Sequence, residues 1–238
     1  MQSHAPIKAL LFDKDGTLLD FDSTWATPQE KVAEFAAGGD TALATRLLIA
    51  GGMDPVTRKT AAGSLFAAGN ALEIAEGFVE NGSQIAIEVL TEKLDRIFLD
   101  GMDVAALLPG LSEALPRLKS AGYVLGVASS DCEASIAAFL KTTGVSDCFS
   151  FISGYDSGYG HKPGPGMVNG FAQATGIPEH EIAVIGDNTH DLEMAAAAGA
   201  GLKIGVLSGT GTRADLDPLA DLILASAADL NVDIHFTG

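Results

Sequence analysis

Short apolar runs alternate with amphipathic segments over most of the chain. The clearest runs are IKALLFD at 7–13, YVLGVASS at 123–130 and IAVIGD at 182–187, and weaker ones lie at 201–207 and 221–226. Continuous apolar runs of this length are typical of strands that are buried on both faces of a parallel sheet. The pattern therefore predicts a parallel sheet of about five strands.

Helical patterns fill the gaps between these runs, at 111–122, 132–144 and 191–200. Each ends at or near a glycine in the position of a helix C-cap, namely Gly122, Gly144 and Gly199. Alternating strands and helices predict an α/β fold with a doubly wound, Rossmann-like parallel sheet as its core.

Residues 22–104 interrupt this alternation. No convincing strand pattern occurs there, whereas amphipathic helical spacing is plain in SQIAIEVLTEKLDRIF at 83–98. Its apolar positions recur at three- and four-residue steps: Ile87, Leu90, Leu94 and Ile97. We therefore expect a catalytic core made of residues 1–21 and 105–238, with an all-helical domain inserted at 22–104.

Composition fits a compact protein and narrows the choice of partner. The chain has 238 residues, of which 47% are hydrophobic and 19% charged, which is typical of a folded domain. The formal net charge is −17, from 14 basic and 31 acidic residues. Nucleic acid and anionic membrane surfaces require a basic face, so we expect neither as a partner.

The cysteines and the N-terminus indicate a cytoplasmic protein. Cys132 and Cys148 cannot form a framework of several disulfides and show no metal-binding spacing, so we interpret them as thiols in a reducing compartment. No signal peptide is apparent at the start of the chain, and no run approaches the roughly 18 apolar residues of a membrane span. We expect a monomer or a homodimer.

Polar residues collect at the predicted strand ends. Asp13 and Asp15 follow the first run, Ser129 and Ser130 the second, and Asp187 the third. Ligands of open α/β sheets bind at the carboxyl ends of the strands, so these residues are expected to share one site.

This set of side chains suits phosphoryl transfer. Asp13 and Asp187 would repel one another unless a cation neutralised them, and an all-oxygen site of this kind favours Mg²⁺. A carboxylate can attack phosphorus, while a second carboxylate two residues on can act as general acid and base. Ser129, Lys162 and the backbone amides of the Asp15–Gly16 turn can stabilise the phosphoryl oxygens.

The motifs resemble those of the haloacid dehalogenase-like hydrolases, and specifically their phosphoglycolate-phosphatase-like branch. The family's DxDGT motif is matched by DKDGT at 13–17, and its strand-end Ser/Thr by Ser129 in GVASSD. Its lysine is matched by Lys162 in HKPGPG, and its acidic GDxxxD motif by GDNTHD with Asp187 and Asp191. The second motif departs from the usual Thr–Asn pair, because Ser130 follows Ser129, and the glycine-rich surroundings of Lys162 make its position less fixed.

The resemblance implies a role for each matched position. Asp13 would be the nucleophile and a Mg²⁺ ligand, Asp15 the acid/base and a ligand through its backbone carbonyl, and Asp187 a further ligand. Ser129, Ser130 and Lys162 would bind the phosphoryl group. Supporting roles are expected for the neighbouring positions: Gly16, Thr17, Asn188 and Asp191.

The helical insertion would correspond to the family's C1-type cap, which closes over the site and contacts the substrate. Arg58 and Lys59 are its candidate contacts to an anionic substrate group, although a solvated helix face also accounts for them. His161 and His190 are expected to face solvent, and Trp25 to pack near the cap.

The resemblance therefore implies a Mg²⁺-dependent phosphatase acting on a small phosphorylated metabolite, 2-phosphoglycolate or a similar phosphomonoester, through an aspartyl-phosphate. Two alternatives stay open. A sugar-phosphate mutase of the same family shares every core motif, and a phospho-accepting receiver domain also combines acidic residues, Mg²⁺, a hydroxyl and a lysine. A receiver is about half this length and lacks the helical insertion.

Overall fold

The fold is built on a six-stranded parallel sheet. The computed structural model describes residues 6–231 and residue 236. Within this part of the chain, the strands lie in the order β3-β2-β1-β4-β5-β6, and every neighbouring pair is parallel. The strands are β1 Ala9–Phe12, β2 Val124–Ala128, β3 Phe149–Ser153, β4 Ile182–Gly186, β5 Leu202–Val206 and β6 Leu222–Leu224. The predicted doubly wound α/β core is confirmed.

Helices flank this sheet and fill a long connection between its first two strands. The helices of the described residues are α1 Phe21–Ala36, α2 Thr41–Gly51, α3 Leu65–Ala68, α4 Ala71–Glu80, α5 Ile87–Gly101, α6 Leu111–Ser120, α7 Glu133–Thr142, α8 Gly166–Thr175, α9 Thr189–Ala198 and α10 Arg213–Leu216. Helices α1 to α5 all lie between β1 and β2 in the sequence, where the apolar pattern predicted helices alone.

The two faces of the sheet are both apolar, which explains the continuous hydrophobic runs. Leu10 and Phe12 of β1 pack into a core cluster that also includes most of the helical insertion. Ala9 and Leu11, which point to the opposite face, pack against α8 and α9. Alternate residues of one strand thus enter two cores.

The sequence pattern did not predict β3 or α8. Strand β3, with the sequence FSFIS, lies at the edge of the sheet, and its first residues are only partly buried. Helix α8 begins at Gly166, inside the glycine-rich stretch that follows β3. Its first residues include poor helix formers, so helix propensities do not predict a helix there.

The helical segment between β1 and β2 contacts the carboxyl edge of the sheet. Ser130 Oγ, just past β2, donates a hydrogen bond of 3.1 Å to the carbonyl of Ala68. Tyr155, just past β3, donates from its hydroxyl to Asp95 Oδ2 of α5 at 2.8 Å. The edge at which the polar residues were predicted to meet is therefore covered by helices. Among the described residues, no helix is long and apolar enough to cross a lipid bilayer.

Candidate active site

Three neighbouring strands bring the predicted acidic and hydroxyl side chains together. Asp13 follows β1, Ser129 follows β2 and Asp187 follows β4, and β1 pairs with both of the other strands. The Asp13 amide continues the ladder by donating to the carbonyl of Ile185 at 2.8 Å. These residues are fixed by the sheet register rather than by flexible loops.

Three buried carboxylates form the centre of the site. Asp13, Asp187 and Asp191 each present an oxygen within 4.8 Å of the others. Lys162 lies against this cluster, and its Nζ donates hydrogen bonds of 2.6 Å to Asp13 Oδ1 and to Asp191 Oδ1. Its side chain is only 4% exposed, so the lysine is held inside the site.

Burial and like charge raise the pKa values of these acids. Burial raises the pKa of Asp13 well above its usual range, and Lys162 opposes this shift. Burial, followed by the Asp191 charge, raises the pKa of Asp187 to about 7. Burial alone would lower the pKa of Lys162, but Asp13 and Asp191 raise it, so the lysine is a cation. The cluster has three carboxylates and one ammonium, so a further positive charge would stabilise it.

Asp191 serves both the site and the helix that carries it. One of its oxygens accepts from the backbone N–H of Asn188 at 3.1 Å, completing a capping box at the start of α9. Its other oxygen accepts from Lys162. Gly186 permits this approach, because a Cβ there would overlap the Asp191 carboxylate.

A loop that follows β5 also reaches the site, and sequence reasoning missed it. Thr210 donates from its backbone N–H to Asp187 Oδ2 at 2.7 Å, and Ser208 donates from its hydroxyl to the carbonyl of Gly16 at 2.7 Å. A Cβ on Gly209 would overlap the Asp187 carboxylate. The signal was present as SGTGT directly after a predicted strand, a place where ligand-binding loops of α/β sheets occur.

Asp15 lies beside the cluster and faces a different set of partners. Trp25 of α1 donates from its indole Nε1 to Asp15 Oδ1 at 2.6 Å, and Ser129 Oγ donates to Asp15 Oδ2 at 3.3 Å. Burial raises the pKa of Asp15, while the nearby ammonium of Lys14 opposes the shift. The contact from Trp25, which was expected only to pack, ties a catalytic candidate to the helical segment.

Lys14 is a second residue that the sequence reasoning missed. Its side chain is fully buried, and its Nζ lies 2.5 Å from Asp131 Oδ2 and 3.5 Å from Asp15 Oδ2. The ammonium also lies 5.0 Å from the centre of the Trp25 ring. Asp131 Oδ2 accepts a further hydrogen bond from Ser135 Oγ at 2.5 Å. Lys14, Asp131 and Ser135 therefore form a buried polar network that contacts Asp15 through the Lys14 ammonium.

Two of the predicted supporting positions have polar side-chain atoms without a hydrogen-bond partner among the described residues. Asn188 and Thr17 are buried, and neither Asn188 Nδ2 nor Thr17 Oγ1 has a hydrogen-bond partner within the described residues. Asn188 and His190 line the cavity that contains the carboxylates. His161 is exposed, as expected, whereas the expectation for His190 was wrong: it is half-buried against the carboxylate cavity instead of facing solvent.

The two candidate cations of the helical segment lie away from these two cavities. Arg58 forms an ion pair with Glu30 at 2.9 Å, and its guanidinium also donates to Thr27 Oγ1 at 2.9 Å. Lys59 is exposed. Neither of these side chains lines the carboxylate cavity or the apolar cavity beside it.

The donor atoms of the cluster fit a hard divalent cation. Asp13, Asp187 and Asp191 offer carboxylate oxygens only, which suits Mg²⁺ or a similar ion. The sequence prediction named Asp13, Asp15 and Asp187. Asp13 and Asp187 are in the cluster. Asp15 was predicted to contribute its backbone carbonyl, and its side chain is not in the cluster. Asp191, which was predicted only as a supporting residue, contributes its carboxylate to the cluster.

Comparison with known proteins identifies the family of this chain. A family model for haloacid dehalogenase-like hydrolases matches residues 7–199. A phosphoglycolate phosphatase of Neisseria meningitidis is 29% identical over 223 residues, which cover 86% of this chain and 82% of the relative.

Solved structures share the fold. The structure of CbbY from Rhodobacter sphaeroides with phosphate has a TM-score of 0.73 at 22% identity, covering 94% of this chain and 96% of that one. A predicted phosphoglycolate phosphatase of Haemophilus somnus has a TM-score of 0.75 at 18% identity, covering 95% and 97%. The predicted family is confirmed: the chain belongs to the haloacid dehalogenase-like hydrolases.

Proposed function

We propose that the protein is a Mg²⁺-dependent phosphatase that hydrolyses small phosphomonoesters through a phosphorylated Asp13. One observation carries the proposal: Asp13 lies in a buried carboxylate cluster, bridged by Lys162 to Asp191, with a second acid, Asp15, two residues away. A nucleophile, a cation for the phosphoryl oxygens and a proton donor are thereby close to one another.

In the first step, a carboxylate oxygen of Asp13 attacks phosphorus. A P–O bond to Asp13 forms as the P–O bond to the leaving alcohol breaks. Asp15 gives its proton to the departing oxygen, so the alcohol leaves neutral and Asp15 becomes a carboxylate.

In the second step, Asp15 takes a proton from water while that water attacks the phosphorus. The bond between Asp13 and phosphorus breaks, inorganic phosphate leaves, and both aspartates return to their starting state. Trp25 and Ser129, which donate to the two oxygens of Asp15, would hold this carboxyl group towards the reaction in both steps.

Charge neutralisation comes from two sources in this proposal. Lys162 and Ser129 would contact the equatorial phosphoryl oxygens, with backbone N–H groups at the Asp15–Gly16 turn adding further donors. Asp13, Asp187 and Asp191 would hold the Mg²⁺, directly or through water, together with the Asp15 carbonyl. The ion would offset the charge of phosphate and carboxylates, which otherwise repel.

Residues 22–104 would act as a cap over this chemistry. The segment already contacts the site through Trp25 and through the bond from Ser130 to Ala68. A closed cap excludes bulk water and positions the leaving group. Opening would then be required for substrate to enter and product to leave.

The test is phosphate release from a panel of phosphomonoesters, with Mg²⁺ and with EDTA. The panel includes 2-phosphoglycolate, the compound that appears in the names of the relatives, together with hexose phosphates, nucleotides and pyridoxal phosphate. We expect Mg²⁺-dependent release that Asp13→Asn lowers by at least about 1000-fold, while Asp103→Asn, an exposed acid outside the site, leaves it unchanged.

Two results would contradict the proposal. Full activity of Asp13→Asn, or activity indifferent to EDTA, would exclude the mechanism. Transfer of phosphate between positions of a sugar without release of inorganic phosphate would identify a mutase instead, the alternative that shares the same core residues.

A further inference from the structure

Trp25 makes the shortest hydrogen bond to the Asp15 carboxyl group among the described residues. Its indole Nε1 donates to Asp15 Oδ1 at 2.6 Å, whereas Ser129 Oγ donates to Asp15 Oδ2 at 3.3 Å. The Lys14 Nζ lies 3.5 Å from Oδ2, but it donates its hydrogen bond to Asp131 instead. Each oxygen of Asp15 therefore has its own neighbours, and Oδ1 belongs to Trp25.

The indole ring has little freedom to turn away from Asp15. Trp25 is buried and packs edge-on against Phe98 of α5, with ring centroids 5.0 Å apart. The Lys14 ammonium lies 5.0 Å from the centre of the ring, a distance at which a cation is attracted to the face of an indole. A donor whose own side chain is held in this way is preorganised for its partner.

The N–H group is the part of Trp25 that packing does not explain. Phe21, Phe66 and Phe98 supply aromatic surface to the same helical segment without any polar atom. A buried indole N–H needs an acceptor, and the acceptor here is the carboxyl group to which the proposed mechanism assigns proton transfer. Asp15 and Trp25 are 10 positions apart, one after β1 and one on α1, so the bond joins the sheet to the helical segment.

The bond from Trp25 favours one position for the acidic proton of Asp15. A protonated carboxyl group has one O–H donor and one carbonyl oxygen, and the carbonyl oxygen is the better acceptor. The 2.6 Å bond from the indole therefore keeps Oδ1 as the carbonyl oxygen. The proton is then on Oδ2, where the Ser129 hydroxyl oxygen can accept it until a leaving oxygen takes its place.

We propose that Trp25 is a positioning residue for the general acid: its indole N–H keeps Oδ1 of Asp15 as an acceptor, so that the proton on Oδ2 is presented to the leaving oxygen of the phosphate ester. The inference rests on the proposed phosphatase function, in which Asp15 protonates the departing alcohol. A packing role would require the ring, whereas this role requires the N–H. Loss of the N–H should therefore slow only the reactions whose leaving group needs a proton.

The test compares two kinds of leaving group in the presence of Mg²⁺. Acetyl phosphate releases acetate, a weak base that leaves without a proton. The alkyl ester that the wild type hydrolyses fastest in the panel described above releases an alkoxide, a strong base that needs one. The comparison uses kcat/KM, which covers the steps up to transfer of the phosphoryl group to Asp13. The later hydrolysis of the aspartyl-phosphate, which also uses Asp15, does not enter this constant.

Trp25→Phe keeps an aromatic ring and removes the donor. We expect it to lower kcat/KM by about 30-fold for the alkyl ester and by no more than about 3-fold for acetyl phosphate, because only the ester depends on the acid. Phe35→Leu, a matched loss of aromatic surface on the same helix, should leave the ratio of the two constants as in the wild type.

A second variant separates the N–H group from the shape of the ring. Trp25→3-benzothienylalanine, installed by nonsense suppression, replaces the N–H by sulfur in a bicyclic ring of nearly the same shape. It should therefore fold even if the smaller ring of Trp25→Phe does not. We expect the same selective loss of activity on the alkyl ester, again by about 30-fold.

The outcomes separate this inference from the proposed function. Equal losses for the two substrates in Trp25→3-benzothienylalanine, or no loss for either, would overturn the role of Trp25 while leaving the phosphatase intact. Failure of the wild type to hydrolyse acetyl phosphate would also overturn it, because a leaving group that needs no proton should still be displaced by Asp13. Release of phosphate from none of the esters, or release that Asp13→Asn does not lower, would overturn the proposed function itself.

Discussion

Replacing Lys14 by methionine tests the polar network that supports Asp15. The wild-type ammonium is fully buried and is in contact with two carboxylates, those of Asp131 and Asp15. At about 3 Å and an effective dielectric of about 20, one such attraction is worth roughly 5 kcal/mol before the cost of dehydration is subtracted. Lys14→Met would remove the attraction but leave the dehydrated carboxylates in place.

We expect Lys14→Met to lower the free energy of unfolding by about 3 kcal/mol or more, as in other buried pairs that lose one partner. Asp131→Asn should also destabilise the fold, because it leaves the lysine with a weaker partner. The double variant should be more stable than the sum of the single effects predicts, by about 2 kcal/mol, because neither charge is then left alone.

Urea unfolding followed by circular dichroism measures these values. Lys141→Met, a matched change at an exposed position of α7, should alter stability by no more than about 0.5 kcal/mol. A cost below about 1 kcal/mol for Lys14→Met, or strictly additive single costs, would refute the inference that a buried charge pair stabilises this region.

Three further predictions concern the site and the helical segment between β1 and β2. Burial raises the pKa of Asp95 from 3.8 to about 6, so its ionisation destabilises the fold as the pH rises through this range. Asp95→Asn should therefore be more stable than the wild type at neutral pH, by about 1 kcal/mol for this half-buried group, with the difference shrinking below about pH 6 in thermal unfolding. Gly209→Ala should lower kcat/KM by about 100-fold because the new methyl group displaces the Asp187 carboxylate, whereas Gly101→Ala should have little effect. Mg²⁺ should raise the melting temperature of the wild type by mass action, and Asp187→Asn should abolish that rise.

Each of these predictions has a clear contrary result. A stability difference for Asp95→Asn that is independent of pH would mean that the carboxyl titrates normally. Wild-type kinetics for Gly209→Ala would mean that the loop after β5 does not position Asp187. An equal effect of Mg²⁺ on wild type and Asp187→Asn would place the cation elsewhere.

The strand ends of the site were predictable because parallel strands align their carboxyl ends. The apolar runs before Asp13, Ser129 and Asp187 identified three strands, and the sheet order brings those strands side by side. Lys162 was found only by its position in a known family motif. It precedes α8 in a glycine-rich segment that has no periodic pattern.

The supporting residues could not be predicted because they depend on contacts distant in sequence. A lysine between two aspartates looks solvated until it is known that Asp131, 117 residues away, faces it in the core. Trp25 likewise donates a hydrogen bond to Asp15 only because α1 packs next to the end of β1. The apolar cavity beside the carboxylate cavity could not be predicted for the same reason, since its wall comes from four separate helices.

The central claim is that the phosphoryl group passes to Asp13, and chemical trapping tests it most directly. The enzyme is mixed with a hydrolysed ester and Mg²⁺, quenched in acid, and reduced with borohydride, which converts an aspartyl-phosphate to homoserine. Peptide mass spectrometry should find homoserine at position 13, and none when substrate is omitted. Homoserine at another aspartate, or its absence from position 13 under the same trapping conditions in a fully active enzyme, would contradict the account.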